Sequence, residues 1–280
     1  MQTSYGYYDS EPQEDLWWAP HVKDFAQLSP LKAPLLSLNR DRPSTIPEAK
    51  YGTVCRAPSL NVPKYLLWLQ TWAQRLGVQI VKARLSTSSG LEAALREAER
   101  RAQWVGRRKV DLFLNATGLG AARLCNDTAM HPIRGQTVLV KGEAYATRTR
   151  LGDGYTAYCI PRPGSGQTIL GGTKEVGAWS EEPDPKVTAQ ILERGAVLAP
   201  ELLTAEDGGF EVVSVQCGLR PGRHGGPRME VERLGGRTVV HAYGHASGGY
   251  QNSVGSARLV VKMVGEALGD GKSGEQRAKL

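Results

Sequence analysis

The chain has 280 residues, of which 40% are hydrophobic and 22% are charged, and its formal net charge is +7. This length allows a large hydrophobic core, and the composition is that of a soluble globular protein. The basic residues are scattered rather than clustered with aromatic residues, so no nucleic-acid partner is predicted. No apolar run approaches the ~18 residues of a membrane helix, so no membrane partner is predicted either.

The first third of the chain contains one clear helix. Residues 1–16 are interpreted as an acidic N-terminal tail, and residues 30–60 as proline-rich loops with short edge strands. Apolar residues then recur at helical spacing and predict a helix over 63–76 that ends before Gly77. The alternating β-branched segment 78–86 predicts a strand.

The middle of the chain alternates helix and strand before it becomes rich in strands. A capping-box pattern at Ser89 predicts a helix over 89–105, and the segment "VDLFLNATG" from Val110 predicts the next strand. This alternation favours βαβ units and a partly parallel sheet. An antiparallel sheet is predicted from the later segments "GQTVLVKG", "TAYCIPRPG", "QTILGGTK", "FEVVSVQCGLRPG", "MEVERLGG" and "RTVVHAYG".

Two more helices complete the predicted elements. One follows Asp184 and ends at Gly195 or just beyond it, and the other spans Ser253 to Leu268 with an apolar stripe. The last helix is preceded by the glycine-bearing turn "GHASGGYQ".

Two glycine turns are candidates for binding an anion or a carbonyl group. Gly118 and Gly120 form a tight turn, but Arg123 occupies the third glycine position of a dinucleotide fingerprint, so this turn alone is a weak phosphate site. The turn over 244–250 lies between a strand and a helix, where free N–H groups and the helix dipole favour negative charge. The alternative is a glycine connection that serves only close packing.

Two polar residues lie in otherwise apolar strands. The guanidinium of Arg220 suits a bidentate carboxylate, and Tyr158 could place a hydroxyl beside it. The alternative is an internal ion pair from Arg220 to Glu211 or Glu230, with Tyr158 as an ordinary packed side chain.

Metal, disulfide and serine chemistry have little support. His241 and His245 lie at a strand end and a glycine turn rather than on one helix face, so no metal site is predicted. No serine lies in a nucleophile elbow. A reduced compartment without disulfides is predicted from the widely spaced Cys55, Cys125, Cys159 and Cys217.

Five segments together resemble the carboxyl-terminal portion of the D-amino-acid oxidases, especially the fungal ones. In chain order they are "LNATGLGA", "PIRGQTVLVKG", "AYCIPRPG" followed by "ILGGT", "GLRPGRHGGPR" and "VVHAYGHASGGYQNSVG". The order and spacing match throughout, and the similarity runs from about Trp17 to Leu268. This set is far more specific than any single motif.

The resemblance implies a mixed α/β (α+β) fold in which part of a βαβ-type FAD-binding domain is interleaved with an antiparallel-sheet substrate domain. The implied limits are 1–16 for the tail, 17–57 and 138–220 for the substrate domain, 58–137 and 221–268 for the FAD-binding part, and 269–280 for a flexible end.

The resemblance also implies an FAD enzyme that converts a D-amino acid to an imine, then to a keto acid and ammonia, while O₂ becomes peroxide. By matched motif, Arg220 binds the substrate carboxylate and Tyr158 helps to orient the substrate, and both are assigned to the catalytic site. The implied FAD contacts are Thr117, Gly118, Gly120, Gly244, Ser247, Gly248, Gly249, Tyr250 and Gln251.

Two departures from the family pattern affect the expected activity. The family begins with a strand and a Gly-x-Gly-x-x-Gly turn for the ADP half of FAD, and no such motif precedes Trp17, so poor FAD loading or inactivity is expected. Lys174 occupies the position of a second active-site tyrosine and is assigned to substrate binding. Its ammonium favours an acidic substrate such as D-aspartate or weakens the site for apolar ones.

The C-terminal tripeptide Ala278-Lys279-Leu280 is a variant of the Ser-Lys-Leu address. It predicts binding to the peroxisomal import receptor and a peroxisomal location, with a cytoplasmic location as the alternative. Two functional alternatives also stay open: a non-catalytic remnant that serves interaction, and an amine oxidase for D-aspartate, glycine or sarcosine. The oligomeric state is left open.

Overall fold

In a computed structural model of the chain, the structure describes residues 1–11, 16, 18–28, 46, 49–106 and 109–269. The chain forms two compact units, each assembled from segments that are distant in sequence. The first unit comprises residues 1–76, 134–174 and 180–218, and the second comprises residues 77–133, 175–179 and 219–280. The limits that the resemblance implies for the substrate domain and the FAD-binding part stay predictions.

The described residues form twelve strands and five α-helices. The strands are β1 (Gln2–Tyr8), β2 (Lys23–Leu28), β3 (Tyr51–Ala57), β4 (Phe113–Asn115), β5 (Met130–Lys141), β6 (Thr147–Gly152), β7 (Tyr155–Arg162), β8 (Gln167–Gly171), β9 (Glu175–Val176), β10 (Val212–Arg223), β11 (Arg228–Leu234) and β12 (Arg237–Tyr243). The helices are α1 (Val62–Arg75), α2 (Gly90–Gly106), α3 (Ala121–Leu124), α4 (Pro185–Leu198) and α5 (Ser253–Ala267). None of these helices is long and apolar enough to cross a membrane.

The strands pair into two sheets within the described part of the chain. The larger sheet has the order β10-β5-β8-β7-β6-β1-β3-β2, with β9 paired to β5, and the smaller has the order β11-β12-β4. Most pairs are antiparallel, whereas β1 is parallel to β6 and β4 is parallel to β12. These mixed sheets and helices confirm the predicted fold class.

The core of the first unit lies where α4 crosses β7 and β8. Side chains of β7 alternate, so that Ala157 and Cys159 are buried. Gly195 lets α4 approach the sheet closely, because a Cβ at this position would be only 2.8 Å from Cδ1 of Leu170. Helix α1 agrees with the prediction, and Gly77 after it has the positive φ, 83°, that a helix end often requires.

Two predictions for the N-terminal region are wrong. Residues 2–8 are not a tail but form β1, which pairs with β3 on one side and β6 on the other. Tyr7 on this strand is only 2% exposed, and burial of its ring stabilises the strand although the segment is rich in polar residues. Similarly, β3 is not an edge strand, since it lies between β1 and β2, and part of the predicted loop region 30–60 lies outside the described residues.

The second unit is built on the smaller sheet, with α2, α3 and α5 in the same unit. Leu91, Ala94 and Leu95 of α2 are buried in one apolar cluster with Leu124 and Val239. Arg237 of β12 donates from Nη2 to Oε2 of Glu99 at 2.6 Å. Strand β4 pairs in parallel with β12 and not with the strand predicted over 78–86, so the parallel pairing does not arise from the predicted βαβ unit.

The strand predicted over 78–86 is wrong. No strand pairing among the described residues includes this segment, and Val78, Ile80 and Val81 are each more than half exposed. A β-branched pattern is not sufficient for a strand, because each strand needs a neighbouring backbone that completes its hydrogen bonds. The predicted βαβ unit around α2 therefore lacks its first strand.

Candidate functional site

The turn after β4 is shaped by the side chain of Asn115. Its Oδ1 accepts hydrogen bonds from the backbone N of Thr117 at 3.2 Å and from Oγ1 of Thr117 at 2.7 Å. Residues Gly118–Gly120 follow as one 3₁₀ turn, in which Gly118 has a φ of 57°. Asn115 thus sets the direction in which the chain leaves the sheet.

The turn after β12 leads into α5. Gly244 has a φ of 86°, and residues Ala246–Gly248 form a 3₁₀ turn before α5 begins at Ser253. No backbone carbonyl among the described residues accepts from the N–H groups of Gly249, Tyr250 or Gln251 outside the helix. These donors lie at the positive end of α5 and suit an anionic or carbonyl-bearing ligand.

The end of β10 lies close to both turns. A Cβ added to Gly118 would be 3.8 Å from Cβ of Pro221, and a Cβ added to Gly244 would be 2.8 Å from Cβ of Arg223. The second unit therefore brings both predicted cofactor turns to the short segment of β10 that begins with Arg220.

Arg220 itself is half-buried near the end of β10. The two carboxylates considered as its internal partners bond other cations: Oε2 of Glu211 accepts from Nζ of Lys141 at 2.8 Å, and Oε1 of Glu230 accepts from Nε of Arg228 at 2.6 Å. These bonds do not exclude a contact with Arg220, and its role in binding a substrate carboxylate stays a prediction.

Tyr158 and Lys174 belong to the first unit. Tyr158 is half-buried on β7, opposite Gly171 of β8, and its ring occupies the space that a side chain on Gly171 would need. Lys174 follows β8 and its side chain is exposed. Their predicted roles in substrate binding are tested by the variants described below.

Replacing Gly171 with Ala is expected to displace the Tyr158 ring. A Cβ there would be 2.2 Å from Cζ of Tyr158, so the ring must rotate away. If the hydroxyl helps to hold the substrate, KM for D-alanine should rise about three- to tenfold, the equivalent of one hydrogen bond. Gly218→Ala is the matched control in the same unit, because a Cβ there meets nothing within 4 Å. An unchanged KM in Gly171→Ala would contradict the role of Tyr158.

A buried polar network that the sequence analysis did not identify supports the second unit. Oδ2 of Asp127 accepts from Nε of Arg223 at 2.9 Å and from the Tyr243 hydroxyl at 2.9 Å. The Tyr243 hydroxyl in turn accepts from Nη1 of Arg228 at 3.0 Å. Burial opposes ionisation of Asp127, but the bonds from Arg223 and Tyr243 outweigh it and hold the pKa of Asp127 below its usual value.

The sequence pattern indicates the part of this network that lies on β11 and β12. Polar residues recur at every second position at Arg228, Glu230 and Glu232 of β11 and at His241 and Tyr243 of β12, and the antiparallel register places Arg228 opposite Tyr243 and Glu230 opposite His241. Polar residues at a spacing of two on paired strands share one face of the sheet. Asp127, by contrast, lies in a loop and carries no such pattern.

The two histidines considered as metal ligands have separate partners. His241 lies between Asn115 and Glu232, at 3.1 and 2.9 Å, whereas Nε2 of His245 is 2.9 Å from the Ser256 hydroxyl. No cluster of three or more potential metal-binding side chains occurs in the part of the chain that the structure describes.

The chain matches the family described as FAD dependent oxidoreductase (DAO) over residues 16–263. The chain belongs to this family. This membership confirms the resemblance found in the sequence and identifies FAD as the cofactor.

Individual relatives agree with this assignment. The chain is 31% identical to the D-amino-acid oxidase of Fusarium vanettenii over 267 residues, which cover 92% of this chain and 68% of that protein. It is 39% identical to the D-aspartate oxidase of Talaromyces thermophilus over 217 residues, covering 76% of this chain and 54% of that protein. The crystal structure of a glycine oxidase from Geobacillus kaustophilus shares the fold, with a TM-score of 0.67 at 18% identity over 95% of this chain and 71% of the other.

The two turns of the second unit fit parts of FAD. The cofactor presents phosphate and carbonyl oxygens, which require N–H donors and close backbone approach. Gly118 allows such approach after β4, and the exposed N–H groups before α5 supply donors. The predicted contacts are therefore retained as proposals: Thr117, Gly118, Gly120, Gly244, Ser247, Gly248, Gly249, Tyr250 and Gln251.

Proposed function

We propose that this chain catalyses the FAD-dependent oxidative deamination of D-amino acids. The observation that carries the proposal is the arrangement of the second unit, in which one glycine turn lies near Pro221 and the other near Arg223, both on the end of β10 that bears Arg220. Membership of the FAD-dependent family supports the cofactor, and similarity to D-amino-acid oxidases supports the substrate class.

In this proposal, one side chain binds the substrate and another orients it. The guanidinium of Arg220 binds the substrate carboxylate, and the Tyr158 hydroxyl helps to orient the substrate. FAD, held at the two glycine turns, would supply the two-electron oxidant for the substrate α-carbon, with O₂ as the final electron acceptor that becomes peroxide. The amino acid loses a hydride and a proton to give an imine, which water hydrolyses to a keto acid and ammonia. Alignment of the Cα–H bond, not a positioned general base, carries this chemistry.

The purified chain, incubated with FAD, tests the proposal. Peroxide release from D-alanine and D-aspartate, with no release from the L-enantiomers, is the result that the proposal requires, and failure to bind FAD would agree with the poor FAD loading expected from the sequence. Glycine and sarcosine belong in the same assay, because preferential oxidation of these amines would assign the chain to a different substrate class. Stoichiometric FAD binding without turnover of any of these amines would favour the non-catalytic alternative.

Lys174 favours D-aspartate as a second candidate substrate. An exposed ammonium near the substrate would attract a second carboxylate, and one relative is named as a D-aspartate oxidase. A partly screened charge pair contributes about 1 kcal/mol, so Lys174→Met should lower kcat/KM for D-aspartate about fivefold and leave D-alanine unchanged. Lys186→Met, at another exposed lysine of the first unit, is the control. Equal effects on both substrates would contradict this role.

The peroxisomal location is also a proposal. Ala278-Lys279-Leu280 lies outside the described residues, and its support comes from the sequence of the tripeptide. Deletion of Leu280 in a tagged chain should abolish receptor binding and move the protein to the cytosol. An unchanged distribution would contradict the peroxisomal import signal.

A further inference from the structure

His241 is a buried ionisable side chain that the proposed reaction does not use. It lies on β12, the middle strand of the smaller sheet, and is 0% exposed. Its two ring nitrogens contact residues of the two neighbouring strands, Asn115 of β4 and Glu232 of β11. The imidazole therefore links the turn-bearing strand β4 to the opposite edge of the sheet.

The hydrogen-bond directions follow from one backbone group. The N–H of Thr117 can only donate, so the atom of Asn115 that faces it is the carbonyl oxygen, Oδ1. The amide nitrogen of Asn115 must then face Nδ1 of His241, at 3.1 Å, and donate to it. Since Nδ1 accepts, the proton of the neutral ring lies on Nε2, which donates to Oε2 of Glu232 at 2.9 Å.

We propose that His241 is a positioning residue, which in its neutral Nε2–H form holds the Asn115 carboxamide so that this amide shapes the turn Thr117–Gly120. The chain of bonds runs from Glu232 through the imidazole to Asn115 and ends on the backbone of Thr117. Without an acceptor at Nδ1, the Asn115 amide nitrogen keeps only its weaker bond to Sγ of Cys125, at 3.1 Å, and the bonds of Asn115 to Thr117 weaken.

The charges around His241 agree with a neutral ring. Burial and the positive charge of Arg228 lower the pKa of His241, although Glu232 and Glu230 oppose this effect. An imidazolium would carry N–H on both nitrogens and would direct one of them at the amide protons of Asn115. Two donors would then face each other in a buried site.

The consequence for the enzyme rests on the proposed function. Thr117–Gly120 is one of the two turns proposed to contact FAD, so a turn held in place before binding reduces the ordering that the cofactor must impose. The effect on the turn itself does not depend on FAD and is measured separately.

Two variants of His241 separate its two contacts. The amide oxygen of His241→Asn lies near the Nδ1 position and keeps an acceptor for Asn115, whereas the amide of His241→Gln lies near the Nε2 position and keeps a donor for Glu232. Amide hydrogen exchange at Thr117, followed by NMR on the chain without FAD, is the first readout. His241→Gln should raise this exchange rate about tenfold, as for loss of one hydrogen bond, and His241→Asn should change it less than about twofold.

The second readout is the dissociation constant for FAD, measured by flavin fluorescence. The same order is expected, with His241→Gln weakening FAD binding more than His241→Asn. If the unmodified chain binds no FAD, the proposed function fails, while the exchange rates still decide the role of His241.

Two results would overturn the proposal. Retained protection of Thr117 in His241→Gln with loss in His241→Asn would show that the contact with Glu232 is the important one. If the variants do not fold, the unmodified chain supplies the test through ¹⁵N chemical shifts of the His241 ring near pH 7. The Nε2–H tautomer supports the proposal, and the Nδ1–H tautomer or an imidazolium refutes it.

Discussion

Replacing Arg220 with Ala is expected to lower kcat/KM for D-alanine by about two orders of magnitude. A guanidinium that binds a carboxylate through two charge-assisted hydrogen bonds contributes about 3 kcal/mol, which corresponds to a little over a hundredfold. Arg220→Lys keeps the charge but loses the planar fork, so its loss should be intermediate, about tenfold. Peroxide release from the FAD-loaded protein measures both variants.

The matched control is Arg101→Ala, at an exposed arginine of α2 that bonds only Glu97 and the backbone of Arg84 among its described contacts. A second control is a primary amine without a carboxylate, whose slow oxidation should not depend on Arg220. If Arg220→Ala affects D-alanine no more than Arg101→Ala does, Arg220 does not bind the substrate carboxylate.

Replacing Asp127 with Ala is expected to destabilise the second unit by about 3 kcal/mol, because it leaves Arg223 without its buried counterion. The Asp127 side chain is only 8% exposed, and it also accepts hydrogen bonds from the Tyr243 hydroxyl and the backbone N of Ala129. Thermal unfolding should report a decrease in Tm of roughly 6 to 12 °C. FAD should raise Tm less in this variant, since Arg223 lies against Gly244 at the start of the second turn.

Asp111→Ala provides the comparison, because Asp111 is an exposed carboxylate of the same unit and such substitutions usually change stability by less than about 0.5 kcal/mol.

The folded-state pKa of Asp127 is depressed, so the contribution of this carboxylate to stability is present above the ordinary carboxyl pKa. That contribution disappears as the pH falls through the depressed value. The difference in Tm between Asp127→Ala and the unmodified chain should therefore shrink in strong acid. A difference that persists there would assign the loss to packing instead.

The sequence predicted the candidate site residues better than it predicted some of the strands. Arg220 and both glycine turns were identified from ordered motifs, and the structure places the turns against the end of β10. The strand predicted over 78–86 is wrong, and the predicted tail is wrong at residues 2–8, because strand formation depends on which backbones become neighbours. That information is not contained in the local pattern of either segment.

The sequence by itself determined the family, the cofactor and the position of α1, α4 and α5, because motif order and helical periodicity are properties of contiguous residues. Only the tertiary structure decided how Asp127, Tyr243 and Arg228 bond, and how His241 holds Asn115. The partners Asn115 and His241, and likewise Asp127 and Tyr243, are more than 100 residues apart in the chain. Asn115 and His241 meet because the parallel pairing of β4 with β12 places them opposite each other, in a buried site where unsatisfied polar groups are costly.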